Sequence, residues 1–226
     1  MKYPGGKGKC YQRLINMMPP HQTYIESHLG SGAVLRNKKP ADRNIGIDLD
    51  PVVHEMWAST SVASDFERVQ ADATEFLANF SYTGDELVYA DPPYVASTRR
   101  RTKVYRFDFS ERDHRRLLMV LRELPCKVMV SGYECPLYNE ILEGWRKTHF
   151  PAKTHTEVRQ ECVWMNFPEP QQLHDTRYLG NTFRDRQTIA RRQERLRTKI
   201  GSMDPVERSD LVRWMNETYG QTMETV

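Results

Sequence analysis

Short apolar runs separated by segments of helical apolar spacing fill the first two thirds of this 226-residue chain, and that alternation constrains the fold most. The runs are Thr23–Glu26, Asn44–Asp48, Glu86–Ala90, Lys127–Ser131 and Glu161–Phe167. Each has the length of a strand rather than a helix. The best-marked helix between them starts at Ser110, which can cap Glu111 onward with Asp113 at the reciprocal capping-box position. Leu117, Leu118, Leu121 and Leu124 then recur on one helical stripe. Strands alternating with helices predict an α/β fold built on a mostly parallel, doubly wound sheet.

The pattern changes after Phe167. Pro168 and Pro170 break regular structure, and a polar stretch follows. Gln187 to Lys199 reads as a basic helix ending near Gly201. Asp204, Pro205 and Glu207 form a second helix start, and Leu211, Met215 and Tyr219 continue it at helical spacing to Gly220. The expected organisation is a domain over 1–167 and a small basic helical extension over 168–226.

Hydrophobic residues make up 38 % of the chain, and no apolar run approaches a membrane span. The N-terminal MKYPGGKGKC lacks the apolar stretch of a signal peptide, so a cytoplasmic protein is expected. The four cysteines have none of the close spacings of a zinc or redox motif, and the seven histidines are scattered. The expectation is reduced thiols and no metal.

Two regions carry chemistry. In the first, Tyr24 to Val34, an apolar strand ends at Glu26 and runs into the turn Gly30-Ser31-Gly32 and then a short helix. Glycines let backbone pass close to a ligand where side chains would clash. Asp48 ends the next strand, 18 positions after Gly30, where a carboxylate can accept both ribose hydroxyls of a nucleoside cofactor. A third strand around Val69 leads to Asp72, placed to meet an adenine ring. The three-glycine dinucleotide fingerprint is incomplete, which counts against a pyrophosphate cofactor and leaves room for one with a sulfonium. Near the N-terminus, Gly5 and Gly6 permit a tight loop and Lys7 can donate to a carboxylate.

The second region is Asp91-Pro92-Pro93-Tyr94, directly after the apolar strand Leu87 to Ala90. An exocyclic amine on adenine is a poor nucleophile, because its lone pair is delocalised into the ring. The Asp91 carboxylate and the Pro92 carbonyl supply acceptors for its hydrogens. Pro92 and Pro93 fix their own φ, which stiffens the loop and aims its carbonyls. Tyr94 offers an aromatic face to a base extruded from the duplex, a contact worth about 1–3 kcal/mol.

With KYPGGK, YIESHLGSGAV, NIGIDLD, QADATEF, DPPY and FSERDHRRLL, the chain resembles the Dam-type class of DNA N6-adenine methyltransferases over most of residues 1 to 167. The resemblance implies a Rossmann-like sheet whose last strand is antiparallel, with S-adenosylmethionine as cofactor and double-stranded DNA as partner. By resemblance, Tyr3, Lys7, Asp48 and Asp91 match cofactor-binding positions; Glu26, Gly30, Gly32 and Asp72 complete the candidate cofactor set. Two features depart from the family. Ser27-His28 stands where Pro-Phe is usual, and no large recognition insertion separates Asp48 from DPPY.

DNA contacts are therefore expected on basic clusters elsewhere: Arg99, Arg100, Arg101 and Lys103 after DPPY, and Arg191 and Arg192 in the C-terminal helix. Arginine can read guanine or hold phosphate, and the sequence does not separate those roles. RNA adenine methylation shares this chemistry. A catalytically silent nucleic-acid-binding protein of the same fold is the other alternative, kept open by Ser27-His28. Trp145, Trp164 and Trp214 read as packing residues, His114 as a helix-surface residue, and Phe107 and Phe109 as packing residues of a strand-like segment.

Overall fold

The computed structural model describes residues 6–8, 10–59, 66–99, 106–153 and 158–220. A seven-stranded sheet with strand order β3-β2-β1-β4-β5-β7-β6 organises its larger part. The strands are β1 (Thr23–Glu26), β2 (Arg43–Asp48), β3 (Glu67–Gln70), β4 (Glu86–Ala90), β5 (Lys127–Gly132), β6 (Arg146–Lys153) and β7 (Val158–Met165). The first five pair in parallel, and β7 runs antiparallel to both of its neighbours, β5 and β6. This is the mostly parallel, Rossmann-like sheet with an antiparallel last strand that the sequence predicts.

The central strands are buried because both sheet faces are covered. Ile25, Ile45, Ile47, Val88, Val128 and Val130 form one core with Leu117, Leu118 and Leu121 of helix α4 (Glu111–Glu123). The α4 capping box forms as expected, with Ser110 accepting from Asp113 N and the Asp113 side chain accepting from the Ser110 backbone. The strand that sequence missed is β6, at the sheet edge. It carries Arg146, Lys147, His149, Pro151 and Lys153, so it has no apolar run to announce it. Charges and proline on an edge strand are expected where an unpaired edge meets solvent.

Four local expectations are corrected. The segment after Gly32 is a run of turns, not a helix. Leu35 N donates to the Glu26 carboxylate at 2.9 Å instead of to the carbonyl four residues back, which interrupts helical bonding there. His114 is fully buried, not on the helix surface: its Nδ1 meets Tyr138 Oη at 3.0 Å, and burial pushes the imidazole down to about 4. Trp214 is exposed rather than packed, whereas Trp164 is buried in the core and Trp145 packs against it. No strand forms at Phe107 to Phe109; Phe107 is exposed and Phe109 packs against the core.

The chain divides into two compact units, Met1–Thr176 and Arg177–Val226. The second consists mainly of α6 (Phe183–Gly201) and α7 (Pro205–Tyr219). α6 starts four residues before the expected basic helix, at a Thr182/Asp185 capping box. α7 is capped by Asp204 with Pro205 in its first turn, as the sequence predicts. Among the described residues no helix is long and apolar enough to cross a membrane, and no group of His, Cys, Asp or Glu is placed to hold a metal ion. The four cysteines are buried free thiols.

Candidate active site

The parallel strands end on one side of the sheet, and the loops that follow them line an open cleft. Its wall includes Lys7, Glu26, Gly30, Asp48, Asp72, Asp91 and Pro93. Residues from both chemical regions of the sequence thus share one cavity, at the carboxyl ends of the strands where open α/β sheets place ligands.

At the end of β1, Glu26 is buried, and its Oε2 accepts from Tyr24 Oη at 3.0 Å and from Leu35 N at 2.9 Å. Burial pushes its carboxyl up to about 8. At the end of β2, Asp48 accepts from Gly30 N at 2.8 Å and from Asp50 N at 2.9 Å, which clamps the glycine turn over the strand ends. Burial lifts its carboxyl above the ordinary range. Beyond β3, Asp72 caps helix α3 (Ala73–Asn79) by accepting from Thr74 N and Glu75 N, while still lining the cleft.

The two glycines differ. Gly30 lines the cleft, and its carbonyl accepts from Trp57 Nε1 at 3.0 Å. Gly32 does not line the cleft. Its φ is +55°, and a Cβ there would lie 2.5 Å from the Trp57 ring. Packing of Trp57 therefore demands the glycine at 32.

After β4, Asp91 stands at the centre of a buried polar cluster. Its Oδ1 accepts from Lys7 Nζ at 2.7 Å and from Ser131 Oγ at 2.8 Å, and Ser131 Oγ lies 2.9 Å from Tyr89 Oη. Asp91 Oδ2 takes no hydrogen bond among the described residues. Lys7 also donates to Tyr94 Oη, which donates to Glu161 Oε1 at 3.1 Å. Carboxylates around Lys7 hold its ammonium well above the usual lysine range, against the opposing pull of burial.

Tyr94 is less open than the sequence suggests. Lys7 Nζ lies 4.8 Å from its ring centroid, the Tyr133 ring meets it at 4.5 Å, and only 8 % of the residue is exposed. Its hydroxyl network and these two neighbours hold it in the wall behind Asp91. Pro92, likewise, is not part of the cleft lining.

The basic residues fall in three places. Arg99 is not a surface cation: its guanidinium is buried against Asp108 at 2.8 Å. Tyr3, Arg100, Arg101 and Lys103 lie outside the described residues. Arg191 and Arg192 are exposed on α6 of the second unit.

At Ser27-His28 the imidazole takes over an aromatic packing role. It lies edge-on to Phe109, with centroids 5.5 Å apart, and its Nδ1 meets Ser27 Oγ at 2.9 Å. Burial pushes it down to about 3, so it packs as a neutral ring. Sequence reasoning missed Ser131 and Glu161. Ser131 closes a predicted strand, and the signal for Glu161 is a carboxylate opening a mostly apolar run.

Five acidic side chains, Glu26, Asp48, Asp50, Asp72 and Asp91, face the cleft against one ammonium, Lys7, which Asp91 already neutralises. Such a lining suits a ligand bearing positive charge and hydroxyl donors, and opposes a pyrophosphate. S-adenosylmethionine, with an ammonium, a sulfonium and two ribose hydroxyls, fits it.

Residues 56–159 match the family described as D12 class N6 adenine-specific DNA methyltransferase. No curated protein matches the chain by sequence. Solved structures with a similar backbone include an rRNA methylase from Streptococcus thermophilus, 9 % identical, covering 71 % of this chain and 95 % of that one, TM-score 0.47. Another is a putative methyltransferase from Streptococcus mutans in complex with SAH, 8 % identical, covering 69 % and 93 %, TM-score 0.46. A third is a putative RNA methyltransferase from Pyrococcus horikoshii, 12 % identical, covering 73 % and 84 %, TM-score 0.43.

Proposed function

We propose that this methyltransferase, matched over residues 56–159 to the D12 class, acts on the exocyclic N6 amine of adenine in DNA. The observation that carries the reading is the placement of Asp91, which lines the cleft: its Oδ1 is held by Lys7 and Ser131, and its Oδ2 takes no hydrogen bond among the described residues. S-adenosylmethionine supplies a methyl carbon activated by the adjoining sulfonium.

The roles of the chain's residues follow from this placement. Glu26 receives the amino group of the cofactor, Asp48 its ribose hydroxyls and Asp72 the adenine edge. Asp91 Oδ2 accepts from a hydrogen of the target amine. This turns the nitrogen lone pair toward the methyl carbon, and no covalent enzyme intermediate is needed. As the N–C bond forms and the S–C bond breaks, the nitrogen gives up one proton, which Asp91 is placed to receive. The glycine turn and the two prolines keep these groups fixed while the bonds change. Residues 1–167 form the catalytic part in this reading, and residues 168–226 add a basic helical surface for nucleic-acid phosphates.

The choice of DNA over RNA rests on the family matched by residues 56–159. The test is methyl transfer from labelled S-adenosylmethionine to duplex DNA and to structured RNA, with the modified base identified after digestion. N6-methyladenine in DNA, absent with Asp91→Ala, is expected. Transfer to RNA alone would replace DNA as the substrate, and unchanged transfer by Asp91→Ala would overturn the mechanism.

A further inference from the structure

Glu161 lies on β7, two residues beyond the family match, and nothing in the sequence assigns it a role. It is buried and does not line the cleft. Its Oε1 accepts from Tyr94 Oη at 3.1 Å. Its Oε2 has no hydrogen-bond partner among the described residues and lies 3.8 Å from Lys7 Nζ. One ammonium is thereby shared between two carboxylates, at 2.7 Å from Asp91 and 3.8 Å from Glu161.

This sharing has a consequence for Asp91. A lone buried ammonium bound to a single carboxylate draws electron density from it and weakens it as an acceptor. A second carboxylate on the same ammonium offsets that pull. We propose that Glu161 is a positioning residue for methyl transfer: through Lys7 and Tyr94 it keeps Asp91 both fixed in place and strong enough as an acceptor to hold the amine. The proposal rests on the reading of Asp91 as the acceptor of the target amine.

The geometry argues against a purely structural purpose. A buried carboxylate with one oxygen that takes no hydrogen bond among the described residues is costly, and an apolar residue at this buried position of β7 avoids that cost. Glu161 faces Lys7, Asp91, Tyr94, Tyr133 and the Cys10 thiol. Burial lifts its carboxyl above the ordinary glutamate range, while Lys7 opposes the lift. Falling pH therefore neutralises Glu161 earlier than it would a free glutamate, and neutral Glu161 resembles glutamine.

The experiment compares wild type with Glu161→Gln. The amide oxygen can still accept from Tyr94, so the variant keeps the packing, and its melting temperature together with S-adenosylhomocysteine titration confirms the fold. Above neutrality, kcat is expected to fall about tenfold at unchanged affinity for S-adenosylhomocysteine. As pH falls, the two kcat values should converge, because the wild type becomes neutral at the same position. A kcat equal to wild type above neutrality, or a ratio independent of pH, overturns the proposal and leaves the reading of Asp91 intact. Loss of S-adenosylhomocysteine binding along with the melting transition would make Glu161 structural and also overturn it. Wild-type binding of S-adenosylhomocysteine without methyl transfer to any nucleic acid would overturn both readings.

Discussion

Lys7 and Asp91, separated by 84 residues in sequence, form a 2.7 Å ion pair almost closed to solvent. Lys7 is therefore part of the wall behind DPPY. The sequence lets the Lys7 ammonium donate to a carboxylate, and the fold sets those of Asp91 and Glu161 against it.

Lys7→Met should consequently cost stability as well as activity. Removing one partner of a buried pair leaves the other uncompensated, at about 3–5 kcal/mol. The unfolding free energy from urea titration should drop by that amount at an unchanged m-value. Adding Asp91→Asn to Lys7→Met should recover part of the loss, because Asp91 then carries no uncompensated charge, while Glu161 keeps the rest of the loss in place. If the single variant melts like wild type, the pair contributes nothing net.

Glu26 gives a prediction about ligand binding. Its carboxyl is pushed up to about 8 by burial, so the free protein carries it mostly protonated at neutrality. A cationic ligand seated against it favours the ionised form, so binding S-adenosylmethionine should release a proton. Calorimetric titration near neutral pH in buffers of different ionisation enthalpy measures that release directly. Affinity should rise with pH until about 8 and then level. Glu26→Gln should abolish the release and weaken binding, and an unchanged release would place the titrating group elsewhere.

Three buried imidazoles set the acid limit of stability. His21 and His28 are pushed down to about 3 and His114 to about 4, chiefly by burial. An unfolded chain takes up these protons near the ordinary histidine value of 6.5, so it binds more protons than the folded one below that pH. Melting temperature should therefore fall steadily as pH drops from 6.5 toward about 4. His28→Phe removes one of these groups together with an Nε2 that takes no hydrogen bond among the described residues, and should flatten the slope. A slope as steep as wild type would show that His28 titrates normally.

Arg191 and Arg192 are exposed cations on α6. If both contact phosphates, replacing them by alanine lowers the dependence of log K on log salt by about 2 for duplex DNA. Binding isotherms across a salt series measure it, and an unaltered slope removes α6 from the interface.

Gly32→Ala should destabilise the protein by about 1–3 kcal/mol, the cost of an alanine forced into left-handed backbone, with the Trp57 clash in addition. Cofactor affinity per folded molecule should change little, since Gly32 is outside the cleft lining. A selective loss of affinity at normal stability would return Gly32 to the binding site.

Patterns that depend on neighbours along the chain are legible in the sequence itself. The runs giving β1, β2, β4 and β5 are bounded by turns and made of residues that only burial satisfies, and the sheet follows from their alternation with helices. The Ser110 cap and the Asp204-Pro205 start lie within four residues of the backbone they satisfy. DPPY is readable for the same reason, because its rigidity comes from its own two prolines.

What the sequence could not determine are relations set by register and packing across the sheet. β6 is visible only as the antiparallel partner of β7. Arg99 reads as part of a basic knot until Asp108 folds back against it, and Gly32 reads as a ligand glycine until Trp57 occupies the space beside it. Lys7, Asp91, Tyr94, Ser131 and Glu161 come from separate segments. Only the closing of the sheet places them within hydrogen-bonding or ion-pair reach, because electrostatic partners are chosen by distance in space rather than spacing along the chain.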